Sequence, residues 1–379
     1  MSDVPPPSAD AVVVGGGLVG ASVAYELALG GLEVVLVDAG TPGRASDAGA
    51  GIASPQTFHE PDEGWYRFGA AAASHLRRLV ARLAEDGVAV EARAFAECGA
   101  LVLALAEHED PWFEEQRRLA VGRDPEVTEI TPEEARAMFP PLRRPWRALH
   151  SPRSARVDGR LLTAGLRDAA ARRGARLVAD AVSAIDAAGP GGRAVTTVTG
   201  ARVACDTVVL AAGAWSGALP AGRAPLPVAP TKGEIVHLAV ADPAAGTGSW
   251  PIVQPVLNFY LVPWPGGRVA CGGTFHPDAG FDVRPTAGGI RDLLRECTAI
   301  APGLAEAAVV ETRVGLRPTS PDGRPLLGAV TELPGVHACT GHGADGLLLG
   351  PYSAALVAAG ILGGEAPPEL APFSPSRLR

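Results

Sequence analysis

The first forty residues alternate between runs with no polar position and one stretch with helical spacing. Residues 11–14 (AVVV) are wholly apolar, the pattern of a strand buried on both faces of a parallel sheet. Residues 18–29 carry helix formers at helical spacing, and Gly30-Gly31 closes them. Residues 34–37 repeat the buried-strand pattern, with Asp38 at the carboxyl end. This predicts strand–helix–strand, the opening unit of a doubly wound sheet.

Further along, Phe68, Ala72, Leu76, Leu79 and Leu83 share one face of an amphipathic helix over 65–85, stopped by Gly87. Residues 88–105 read as two strands turning at Cys98-Gly99, and 112–121 as a helix. Thr131-Pro132-Glu133-Glu134 is a capping box opening a short helix that ends at Pro140-Pro141. A helix over 161–173 and a strand over 175–178 follow, then a meander turning at residues 189–192 and at Gly200. The buried run 208–211 leads straight into Ala212-Gly213. From 223 to 311 the pattern changes: strand-like runs at 234–240, 259–262 and 268–272 lie between Pro/Gly turns, with one helix over 288–300. This predicts an antiparallel sheet with a helix, a layer separate from the first. Residues 336–340 form a last strand, running into a glycine-rich turn and a helix with Pro351 near its start.

Composition narrows the functional classes. A chain of 379 residues with 47% hydrophobic residues has room for two domains. The net charge is −8 and Lys232 is the sole lysine, so no basic face offers itself to nucleic acid. The five cysteines are scattered with no C-x-x-C pair, which predicts reduced thiols, a cytoplasmic location and no metal site. The first ten residues lack a basic segment and an apolar core, and read as a loose tail rather than a signal peptide. Residues 346–364 are uncharged, but their glycines and Pro351 favour a buried helix over a membrane span.

The chemistry begins at Gly15, Gly17 and Gly20, a G-x-G-x-x-G between strand and helix. Gly15 permits the tight turn, Gly17 lets backbone approach a pyrophosphate, and Gly20 lets helix pack on strand. The helix start offers N–H groups to phosphates. Asp38, eighteen positions beyond Gly20, can accept hydrogen bonds from a ribose diol and would repel a 2′-phosphate, which disfavours NADP. This unit leaves NAD and FAD open. The loop 41–56 (TPGRASDAGAGIASPQ) is rich in small residues that let backbone lie against a flat ligand, as do Ala212-Gly213. Residues 343–347 begin a second helix aimed at something polar.

GGGLVGASVAYELA with VDAG, RASDAGAGIASPQ, VDGRLL, DTVVLAAGAWS, PTKGEIVHL, YLVPWPGGRVACGG, GLRPTSPDGRPLLG and GHGADGLLLGP stand in an order that spans nearly the whole chain. In this the chain resembles the D-amino-acid oxidase superfamily of FAD enzymes, and within it the glycine oxidase branch. The resemblance implies an α/β fold in which a Rossmann-like FAD-binding domain (residues 1–87, 150–222 and 312–379) is intercalated with an α+β substrate domain (88–149 and 223–311) built on a mostly antiparallel sheet. It implies FAD as cofactor, held by Gly15, Gly17, Leu18, Val19, Gly20, Asp38 and Ala39, by Ser46, Ala50, Gly51 and Ile52, by Val182, Ala212, Gly213 and Trp215, and by Arg317, Gly341, Gly343, Ala344, Asp345, Gly346 and Leu347. Covalent-flavin relatives place a cysteine where this chain has Gly315-Leu316, so the FAD is expected to be non-covalent.

The resemblance also implies oxidative deamination of a small amino or imino acid, with hydride passing from the α-carbon to flavin N5. Products would be an imine, then a keto acid, with hydrogen peroxide when oxygen is the acceptor. Arg317 would pair with the substrate carboxylate, Tyr260 would donate to it, and His342 would stand beside the flavin. A planar guanidinium suits a carboxylate on its own chemistry. Departures from the branch are Ala344-Asp345, where an arginine and an asparagine are common, and Trp264, where an arginine often follows Y-x-V-P. They leave room for a larger or positively charged amine. A lysine that reacts with oxygen in sarcosine oxidases aligns roughly with Cys271. Alternatives are a dehydrogenase with a non-oxygen acceptor and a tailoring enzyme acting on a larger or carrier-tethered amine. A homo-oligomer is left open.

Overall fold

The computed structural model describes residues 5–57, 61–88, 94–186, 193–219, 225–242, 245–255 and 259–378. The turn expected at 189–192 lies outside them, as does part of the 88–105 segment.

The opening β-branched runs form the centre of an eight-stranded sheet. Ser8–Val14 lies parallel between Val34–Val37 and Arg202–Leu210, with Val12 opposite both Val35 and Val208. Arg176–Val178 extends the sheet beyond Val34–Val37, and Val336–Thr340 pairs in parallel with Arg202–Leu210. Both faces are buried: Val13 and Leu36 pack on one side, Val12 and Val35 on the other. This is why the runs contain no polar alternation. The expected tail is shorter than ten residues, because Ser8 already pairs with Ala204 and joins the sheet. The Leu18–Leu29 helix packs between Gly159–Arg172 and Gly346–Gly363. Among the described residues Gly346–Gly363 is long and apolar enough to cross a membrane, and half of it is buried inside the fold.

A second eight-stranded sheet runs Ala308–Thr319, Ala229–Ala239, Arg268–Gly272, Tyr260–Trp264, Ile252–Pro255, Ala100–Ala104, Arg147–Ser151 and Thr128–Ile130. Its pairings are antiparallel except between Ile252–Pro255 and Ala100–Ala104. The Ala287–Ile300 helix lays Leu293, Cys297 and Ile300 on one face of it. The strands Phe95–Glu97 and Ala100–Ala104 do not pair with each other; the first joins a small sheet with Ala155–Val157 and Ile52–Ala53. The segment boundary expected between 311 and 312 falls inside the unbroken strand Ala308–Thr319, which carries Arg317 into the antiparallel layer.

On the Ala229–Ala239 strand side chains alternate in direction. Gly233 and Ile235 face the large cavity that holds the candidate site, while Lys232 and Glu234 turn to the other side and are buried. Lys232 Nζ lies 3.1 Å from Glu234 Oε1 and donates to the Arg284 carbonyl at 2.6 Å. Glu234 Oε1 accepts from Thr286 N and Oγ1, both at 3.1 Å. The pair thereby ties residues 284–286 to the sheet.

Candidate active site

A cavity of about 810 Å³ extends from the carboxyl ends of the parallel strands to the antiparallel sheet. At its first end the chain leaves Ser8–Val14 through Gly15. Its φ is 105°, and a Cβ there would come within 2.5 Å of the Ala211 carbonyl oxygen, so the turn admits no side chain. Gly17 precedes the Leu18–Leu29 helix without a side-chain cap, and Ser46 Oγ accepts from Leu18 N at 2.9 Å. Asp38 reaches the same end. Its Oδ2 accepts from Arg44 at 2.9 Å and from Arg167 at 2.7 Å. Burial raises its pKa, but hydrogen bonds from Arg167 and the Gly16 N–H, with the Arg44 charge, outweigh this and hold the carboxyl below its usual range.

The middle of the cavity is walled by Ala39, Ser46, Ala50, Gly51 and Ile52 on one side and by Val182, Ala212, Gly213 and Trp215 on another. A Cβ on Gly51 would come within 2.6 Å of the Trp264 ring. Trp264 thus stands behind the loop rather than in the cavity lining, stacked on Arg156 at 5.4 Å.

At the far end stand Arg317, Tyr260 and His342. Arg317 Nη1 donates to the Thr274 carbonyl at 3.0 Å, and the guanidinium lies 6.0 Å from the Phe275 ring centre. It rests on Gly233, where any side chain would collide with it. A Cβ on Gly273 would come within 2.8 Å of the Tyr260 hydroxyl and 3.2 Å of Arg317 Nη2, so the two groups meet over one glycine. Burial raises the Tyr260 phenol, with Arg317 opposing it, so the hydroxyl is a proton donor at neutral pH. His342 is 2% exposed, and neither ring nitrogen has a partner among the described residues. Its backbone is pinned to the end of the Arg317 strand, since Gly343 N donates to the Pro318 carbonyl at 2.8 Å. Residues 343–347 then open the Gly346–Gly363 helix against the cavity, again without a side-chain cap.

Burial pushes His342 down to about 4. As pH falls through the ordinary histidine range, near 6.5, the unfolded chain binds a proton that the folded chain refuses until near 4. Stability from this residue is therefore intact above pH 6.5 and declines between 6.5 and 4. The expected cost is roughly 2 kcal/mol at pH 5. Urea unfolding at pH 7.5 and 5.0 checks this: the loss on acidification should be smaller by about that amount in His342→Phe.

Of the residues expected at a cofactor, Gly20 and Gly341 do not line the cavity. Gly20 lies under the turn, where any side chain would strike the Gly15 carbonyl, and Gly341 packs against Leu326. Cys271 also stands elsewhere. On Arg268–Gly272 alternation turns Gly272 toward Tyr260 and Cys271 toward the helix, where its Sγ is 3.1 Å from Cys297 Sγ. Gln254, Phe259, Thr274 and Phe275 line the far end, and no motif in the sequence singles them out. Gly233 and Gly273 fall within or beside the PTKGEIVHL and YLVPWPGGRVACGG segments, yet only their contact with Arg317 gives them a purpose.

These features fit FAD. A turn with no room for a side chain can cradle a pyrophosphate, the loop of small residues can lie on a flat ring, and the unpartnered His342 nitrogens lack the polar group that such a ligand brings.

The family model described as FAD dependent oxidoreductase, DAO, matches residues 10–359. The iminodiacetate oxidase of Chelativorans sp. BNC1 superposes with a TM-score of 0.88 at 36% identity, covering 96% of this chain and 98% of that one. The glycine oxidase of Geobacillus kaustophilus (strain HTA426) is 32% identical over 97% of both chains. An uncharacterized oxidoreductase of Bacillus subtilis (strain 168) is 35% identical over 96% of this chain and 98% of its own.

Proposed function

The chain belongs to the DAO family of FAD-dependent oxidoreductases, and from that premise we propose that it oxidises the carbon–nitrogen bond of a small amino or imino acid gripped through its carboxylate. The observation that carries this reading is the Arg317 guanidinium, seated on Gly233 and Gly273, anchored to the Thr274 carbonyl and met by the Tyr260 hydroxyl. A rigid fork beside a neutral phenol suits a planar carboxylate. Bound FAD supplies the acceptor for the electron pair and hydrogen that leave the α-carbon.

The chain's own groups position the substrate. Arg317 and Tyr260 fix the carboxylate, which leaves the α-carbon and nitrogen to face the middle of the cavity. His342, neutral at physiological pH, offers ring nitrogens without adding charge. The uncapped start of Gly346–Gly363 directs N–H dipoles to the cavity, where they oppose developing negative charge. Ile235 and Phe259, both buried, present apolar surface that limits water and favours the neutral amine, whose lone pair assists the loss of hydrogen. The imine is released to hydrolysis, giving a keto acid and ammonia, or the corresponding amine from a secondary substrate, with hydrogen peroxide when oxygen reoxidises the enzyme. Glycine and iminodiacetate, in the names of the relatives, both carry nitrogen next to a carboxymethyl carbon.

Anaerobic mixing of the FAD-loaded protein with glycine, sarcosine, proline, iminodiacetate and both enantiomers of other amino acids tests the reading. Loss of the yellow colour with one compound supports it, and peroxide on readmitting air separates an oxidase from a dehydrogenase. Colour retained with every free acid would overturn it and favour a tethered amine. Tyr260→Phe, which keeps the ring but not the donor, should raise KM roughly 3- to 10-fold with kcat within about twofold. Steady-state kinetics on the substrate found in the panel checks this.

A further inference from the structure

A second cavity, of about 400 Å³, lies behind the loop that walls the first and shares its Ser46, Gly49 and Ala50. Arg313 and Arg317 stand four positions apart on Ala308–Thr319, so alternation puts both on one face of the strand. The loop crosses that face at Gly315, where a Cβ would come within 2.8 Å of the Ala48 side chain. It therefore partitions one face into the Arg317 end of the large cavity and a separate chamber around Arg313.

The chamber is lined by Arg160, Arg268, Arg313, His237 and the Trp264 ring. The three arginines converge on a single carboxylate: Glu311 lies 2.8 Å from Arg313, 3.2 Å from Arg160 and 3.3 Å from Arg268. Asp158, the acidic residue in the lining itself, accepts from the N–H groups of Arg160 and Leu161 at the start of its helix. His237 is directly opposite Glu311 in the sheet and 3% exposed. Its Nδ1 is 3.4 Å from Arg268 Nη2, while its Nε2, Arg268 Nε and Arg313 Nε have no partner among the described residues. Burial, with Arg313 and Arg268 beside it, pushes His237 down to about 4, so it adds no charge at neutral pH.

Three guanidiniums against the Glu311 and Asp158 carboxylates leave a net positive charge around a concave chamber, and planar forks favour oxyanions with two or more acceptor oxygens. We propose that this chamber is a binding site for a small dianionic oxyanion, a phosphate monoester or a dicarboxylate, separate from the cavity that fits FAD. Trp264 supplies an apolar wall for the ligand's carbon portion. The indole fills the space behind Gly51 and forms one side of the chamber.

The test uses the FAD-loaded protein with FAD in excess, so that the pyrophosphate region cannot report. Thermal unfolding is followed against inorganic phosphate, methyl phosphate and succinate, with sodium chloride at matched ionic strength as reference. Each probe is repeated in Arg317→Ala, Arg268→Gln and Arg313→Gln. The expected result is a saturable rise in Tm with at least one dianion, retained in Arg317→Ala and weakened at least tenfold in apparent affinity in Arg268→Gln. Preference for the phosphates or for succinate identifies the source of the oxyanion. Arg268 is half-exposed, so its variant remains informative if Arg313→Gln folds poorly. No saturable rise beyond that in chloride would overturn the proposal. So would a rise lost in Arg317→Ala, which would place the anion in the large cavity, or one unchanged in Arg268→Gln.

Discussion

Replacing Arg317 by alanine should lower kcat/KM for a carboxylate substrate by roughly 10²- to 10⁴-fold while FAD stays bound. A charged hydrogen bond contributes about 1.5–3 kcal/mol, and a bidentate grip comprises two. Because the carboxylate is held alike before and during reaction, the loss falls chiefly on KM. Arg317 Nη1 already donates to Thr274, so the rest of the fork is presented in fixed orientation and little ordering accompanies binding. Arg317→Lys keeps the charge without the fork, and should recover only part of the loss. The measurement is a steady-state comparison alongside the visible flavin spectrum of each variant. Unchanged kinetics in Arg317→Ala with intact colour would remove Arg317 from substrate binding.

Glu234→Leu should destabilise the fold by about 3–5 kcal/mol, because it leaves the Lys232 ammonium buried without its carboxylate. Lys232 is 2% exposed; the Arg284 carbonyl remains, and Asp282 stands off at 3.7 Å. The double variant Lys232→Met/Glu234→Leu removes both charges and should regain most of the loss. Urea unfolding of the three proteins decides it; a single variant within about 1 kcal/mol of the parent would show that the pair carries no such weight. The effect should reach the site as well. Thr274 Oγ1 accepts from Glu234 N and its carbonyl holds Arg317, so the buried pair and the substrate grip meet at one residue.

The residues that define the nucleotide half were legible because each acts locally. Val34–Val37 reads as a strand buried on both faces because every position is apolar, and Gly15 marks the turn after Ser8–Val14 because its φ of 105° favours glycine. The capping box at Thr131 is local in the same way: Thr131 Oγ1 accepts from Glu134 N three residues away. The mostly antiparallel layer was readable from its Pro/Gly spacing, though the parallel pairing of Ile252–Pro255 with Ala100–Ala104 was not, since its partners are about 150 positions apart in sequence.

Local pattern and turn chemistry therefore specify a strand–helix–strand cradle, a second mostly antiparallel layer, and motifs whose order places the chain among FAD enzymes. Tertiary structure alone decided that Asp38 is shared by Arg44 and Arg167, that Gly233 and Gly273 form the seat of Arg317, and that Cys271 turns to Cys297 rather than to the cavity. It also decided that Arg160, Arg268 and Arg313 converge on Glu311. The physical reason is that periodicity and turn chemistry act over a few neighbouring residues, whereas these contacts depend on strand register, and a shift of one residue would send every side chain to the opposite face.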